Sequence, residues 1–136
     1  MKRFISVLLF LFLALPAFAQ PKNHLYSEKD YQTAWSITNG GSMEVILPDK
    51  ARVDCVTKTH AIEFDFAQKW GEAIGQALYY GTALHKKPGI VLIMENPVKD
   101  QKYLKRVMAV ANQHGITVWT ITPSYVTKFK RVSLVE

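Results

Sequence analysis

Two short runs with strand periodicity, Arg52-Val53-Asp54-Cys55 and Ala61-Ile62-Glu63-Phe64-Asp65-Phe66, are joined only by Val56-Thr57-Lys58-Thr59-His60. So short a connection makes the two runs natural partners in an antiparallel hairpin. With Val56 paired to Ala61 across a four-residue loop, Asp54 falls opposite Glu63. Side chains alternate along a strand. Asp65 therefore shares the acidic face, and Val53, Cys55, Ile62, Phe64 and Phe66 take the other, where they suit a core. Like charges facing each other across a sheet destabilise it, so this face asks for a cation. The spacing suggests a divalent-metal site on a hairpin. The plainer alternative is a set of solvated strand carboxylates, one of them bonded to Arg52 or Lys58.

The rest of the chain supplies the layers around that hairpin. Ser27 followed by Asp30 resembles a capping arrangement, and Tyr31, Ala34 and Trp35 recur at helical spacing, predicting a helix over 28–37 that stops at Asn39-Gly40-Gly41. Residues 43–47 read as a strand, with Pro48-Asp49-Lys50 as the turn that leaves it. A long helix is expected over 67–84, broken by Lys86-Lys87-Pro88-Gly89. The continuous apolar run over 89–94 has the pattern of a strand buried on both faces. Asn96-Pro97 opens a helix over 98–113, closed by Gly115, and 116–121 alternates as a further strand ended by Pro123. A strand, helix, strand succession requires parallel pairing through a crossover. The expected fold is α/β, in the order αβββαβαβ, with a mixed central sheet flanked by helices. No element is assigned beyond Pro123.

Composition adds boundaries. Lys2 and Arg3, an apolar run from Phe4 to about Leu15, and Ala17-Phe18-Ala19 have the pattern of a cleavable secretory signal over residues 1–19. The run is short for a membrane span, so no stable anchor is expected after cleavage. The destination is the periplasm or the medium, and residues 20–136 form one domain. Without Lys2 and Arg3, 15 basic residues stand against 11 acidic, a net charge of +4 that suits a polyanionic partner and solubility equally. A single cysteine, Cys55, excludes an internal disulfide framework and reads as a buried, inert thiol. His24, His60, His85 and His114 lack the close paired spacing of zinc ligands. Trp35, Trp70 and Trp119 read as core residues. Lys99, Lys102, Lys105 and Arg106 read as a solvated helix face, with a phosphate-tracking surface as the lesser reading.

The element order, together with Asp54 and Glu63, resembles the PD-(D/E)XK nuclease-like superfamily and its restriction-endonuclease-like core. Gln76-Ala77-Leu78-Tyr79-Tyr80 looks like the glutamine-tyrosine helix of its RecB-like branch. The resemblance implies that Asp54 and Glu63 hold Mg2+ (or Mn2+), with the Phe64 carbonyl completing the set. It also implies a lysine two residues past the second acid. Asp65 stands there instead. Lys69, four residues further on in the first turn of the next helix, is the substitute, able to orient or deprotonate a water or to neutralise the phosphate. Asp65 would add a metal ligand or hold Lys69 by an ion pair, and it could equally just favour the start of the helix. Gln76 and Tyr80 continue the Lys69 stripe at helical spacing and would position phosphate, water or a base, or else fill the helix–sheet interface. His60, in the loop, is a further candidate for substrate contact, and Glu44 a weaker one for an outer ligand. The function implied is metal-dependent phosphodiester hydrolysis of nucleic acid, with DNA ahead of RNA. A nuclease-like domain without catalysis, binding nucleic acid or protein, is the alternative, and an exported structural or host-interaction protein a third.

Overall fold

The computed structural model describes residues 23–134. The signal-peptide expectation over 1–19 lies outside that range. Helix α1 (Glu28–Asn39) is followed by strands β1 (Ser42–Ile46), β2 (Arg52–Val56) and β3 (His60–Phe66). Helix α2 (Trp70–Leu84), strand β4 (Lys87–Ile93), helix α3 (Pro97–His114), strand β5 (Thr117–Ile121) and helix α4 (Pro123–Ser133) complete the chain. The strands lie in one sheet in the order β1-β2-β3-β4-β5. The first three are antiparallel neighbours, and β3-β4 and β4-β5 are parallel. The result is an α/β fold with a five-stranded mixed sheet flanked by helices. No helix among the described residues is long and apolar enough to cross a membrane.

Each face of the sheet buries its own core. On one side, Tyr31, Ala34 and Trp35 of α1 and Val126 of α4 pack on Ile62, Phe64, Phe66, Val91, Ile93 and Ile121. On the other, Ala73 and Ala77 of α2 and Val107 and Ala111 of α3 pack on Ile90 and Leu92. This explains why β4 is apolar without alternation: helices cover both of its faces. A side chain such as Phe64, fully buried, contributes about 1.5–3 kcal/mol over an exposed position.

Several boundaries differ from the sequence expectation. Residues 67–69 form a separate 3-10 turn, Ala67–Lys69, so Lys69 precedes α2 and does not sit in its first turn. The break after α2 falls at His85, which adopts a left-handed conformation (φ 51°), and the strand begins at Lys87, taking in Pro88. The tail beyond Pro123 is helical. Pro123 ends β5, and it also occupies the first turn of α4, where a missing N–H costs nothing.

Candidate active site

The hairpin register is Cys55 opposite Ile62 and Val56 opposite Ala61, the pairing expected from loop length. Beyond those pairs the strands part. In β1, Glu44 has a positive φ of 58° and drops out of the β1-β2 ladder, which resumes at Val45–Val53. Asp54 lies at the matching point of β2. Its carboxylate accepts the Phe64 N–H at 2.8 Å, standing in for a strand carbonyl. This distortion corrects the expected alternation. Val53 leaves the Cys55–Ile62–Phe64 face and packs with Leu47, Ala61 and Tyr80.

The consequence is that Asp54, Glu63 and Asp65 sit together, and all three are buried, Glu63 to 5% exposure. The Asp54 and Glu63 carboxyls are close enough for their ionisation to be linked, the Asp54 charge working against ionisation of Glu63. Burial, then the charges of Asp54 and Asp65, push the Glu63 carboxyl up to about 10. Asp54 is also raised, because burial outweighs the stabilising hydrogen bonds from the Phe64 N–H and Glu63. Asp65 rises to about 7 through burial, opposed by the Lys69 charge. Glu63 Oε2 has no hydrogen-bond partner. An orphaned, buried oxygen of this kind costs about 1–3 kcal/mol, so the group asks for a cation or a proton.

Lys69 supplies part of that charge. Its Nζ lies 3.8 Å from Asp65 Oδ1 and 4.0 Å from Glu72 Oε2. From α2, the Gln76 amide donates to the Tyr80 hydroxyl at 3.1 Å. These residues line a polar cavity of about 350 Å³ with Asp54, Glu63 and Asp65. Asp54, Glu63, Asp65, Lys69, Gln76 and Tyr80 are all brought to this one place.

Three further residues line the cavity without having been anticipated: Glu28, Arg52 and Glu72. Glu28 belongs to the first turn of α1, which a complete capping box between Ser27 and Asp30 fixes. Gln32 donates to Glu28 Oε1 at 3.3 Å, and burial, then the Asp54 charge, raise the Glu28 carboxyl. The capping signal located the turn, but only the packing of α1 on the sheet aims Glu28 at the acids. Two candidates fall elsewhere. Glu44 does not line the cavity; it is engaged by Lys29 at 3.2 Å and by Arg52 at 3.0 Å. His60 sits at the start of β3 and lines a different cavity with Trp35 and Trp119, so it does not approach the acids.

No protein-family profile, curated protein or solved structure matches this chain.

The donor set is therefore judged by its own chemistry. It consists of oxygens alone, which suits a hard divalent ion. Mg2+ is commonly held by one or two carboxylates with waters completing its shell. Among the described residues no three His, Cys, Asp or Glu side chains form a ligating group. The set that fits is the pair Asp54 and Glu63, with its orphan oxygen, while Asp65 is held by Lys69.

Proposed function

We propose that this chain is a metal-dependent hydrolase of nucleic-acid phosphodiesters, with DNA ahead of RNA, built on a restriction-endonuclease-like core. The observation that carries the reading is the convergence of Asp54, Glu63 and Asp65 with Lys69, Gln76 and Tyr80 in one cavity. The sheet order and the mix of antiparallel and parallel pairs support the same core.

Asp54 and Glu63 would hold Mg2+ or Mn2+; when bound, such an ion lowers the pKa of a water and neutralises charge on the phosphate. The chain's own groups do the rest. Lys69, held by Asp65 at the cavity wall, presents an ammonium to the phosphate oxygens as charge builds on them. The amide of Gln76 is fixed by its hydrogen bond to Tyr80, leaving its carbonyl oxygen free to orient a water. Arg52, at the cavity edge, adds positive charge where the nucleic-acid backbone would pass.

Purified protein with Mg2+ or Mn2+ is expected to degrade DNA, and Asp54→Ala and Glu63→Ala to abolish the activity. Lys69→Ala is expected to lower the rate by about 10²-fold or more. Equal degradation by the wild type and both acid variants would refute the assigned site. A second reading, binding of nucleic acid or protein without hydrolysis, is favoured by Asp65 standing where the family lysine belongs. DNA affinity without cleavage in either metal would select it.

A further inference from the structure

On the opposite face of the sheet, a cavity of about 540 Å³ opens at the amino-terminal end of β3. Its construction begins at Gly89 in β4. A methyl group there would stand 2.9 Å from Trp119 Cζ3 and 3.0 Å from Ile62 Cγ1. The missing side chain lets the Trp119 indole lie across β4. The ring packs edge-on against Trp35, at 5.3 Å between centroids, and against His60, at 5.2 Å. The His60 imidazole is pinned between the hydroxyls of Thr59 at 2.8 Å and Thr117 at 2.9 Å. Helix α1 ends at Asn39 and the chain turns away through Gly40 (φ 67°), so α1 stops at the cavity edge, where Asn39 and Gly40 line it. Trp119 and His60 stay only partly buried, and both line the cavity.

Lys58 is the lysine that lines the cavity. Lys86, outside the lining, donates its Nζ to the Lys58 carbonyl at 2.9 Å. Lys87 is anchored to the same loop by its N–H, 3.0 Å from the Thr59 carbonyl. None of these lysines makes an ion pair among the described residues, whereas Lys29, Arg52, Lys69 and Lys130 all do. No acidic residue lines the cavity. A rigid aromatic wall beside the Lys58 ammonium, with no carboxylate in the lining, selects for a flat ring that carries a negative charge.

We propose that this cavity is a second binding site, separate from the acid cavity, for a nucleotide-sized planar anion: an aromatic ring packed on Trp119 and Trp35, with its phosphate facing Lys58. The volume exceeds what a single six-membered ring fills, which favours a nucleotide over a small aromatic acid.

Calorimetric titration of the purified protein with AMP tests this. Saturable binding is expected, with adenosine and inorganic phosphate each at least about tenfold weaker, because each offers only half of the recognised chemistry. The surface variant Lys58→Glu/Lys87→Glu is expected to weaken AMP at least about tenfold with an unchanged thermal midpoint, and Trp119→Leu to weaken it similarly. Asp54→Ala, at the acid cavity, is expected to bind AMP like the wild type. The inference is overturned by the absence of saturable heat up to about 10 mM AMP, or by undiminished affinity in the lysine variant. It is also overturned by loss of binding in Asp54→Ala, or by benzoate binding as tightly as AMP.

Discussion

Glu63 carries the heaviest electrostatic demand in the molecule, and that demand has a measurable sign. Its carboxyl is raised from 4.5 to about 10, and that of Asp65 from 3.8 to about 7. Between each pair of values the folded chain keeps a proton that the unfolded chain has lost. The associated stability is therefore complete below pH 3.8 for Asp65 and 4.5 for Glu63, and is lost as pH rises through about 7 and about 10. In metal-free buffer the thermal midpoint is expected to fall steadily from about pH 5 to about pH 9. Glu63→Gln, a neutral isostere, is expected to flatten that slope and to stabilise the protein at pH 8 by about 1–3 kcal/mol. A midpoint that rises with pH would contradict the burial of these carboxyls. That Asp54 and Glu63 share one site was legible from strand alternation and the short loop, but their expected direct pairing was not met: the ladder ends at Cys55–Ile62, and Asp54 accepts the Phe64 N–H instead. The left-handed turn at Glu44 was not legible, since nothing local favours a positive φ for glutamate. The displacement of Val53 that follows from it was equally hidden. Glu28 escaped notice because its contact with the acids exists only after α1 docks.

Among the elements, α1 links stability to the site most directly. Its capping box joins the Ser27 side chain to the Asp30 N–H and the Asp30 carboxylate to the Ser27 N–H. Ser27→Ala is expected to cost about 0.5–2 kcal/mol in chemical denaturation; a change inside experimental error would mean that the cap is not holding the helix. Strand β4 is the second sensitive element. Gly89→Ala forces a methyl against Trp119 and Ile62 and is expected to destabilise by about 1–3 kcal/mol, a loss that Trp119→Leu in the same chain should partly restore. The apolar run of β4 was readable because both of its faces are covered. Helix α4 was not, because Pro123 signals the end of a strand and the start of a helix equally well. Only the burial of Val126 and the packing of Phe129 on the α1 side resolve that ambiguity.

At the scale of the described chain, buried side chains cover both faces of the sheet, and the acid cavity and the Trp119 cavity open on opposite faces of it. Helices shield the middle of the sheet on both sides, whereas β1 is an edge strand with Ser42 and Ile46 exposed. Amide exchange is accordingly expected to be slowest in β3 and β4 and faster in β1 and the end of α4; uniform protection across the sheet would contradict this layering. In the acid cavity the fold holds buried carboxylates together at a cost in stability, and a divalent ion would offset their mutual repulsion. Calorimetric titration of metal-free protein with Mn2+ tests that claim most directly. Saturable binding is expected, abolished in Asp54→Asn and Glu63→Gln and preserved in Lys69→Ala. No saturable binding by the wild type, or binding undiminished in both acid variants, would contradict it.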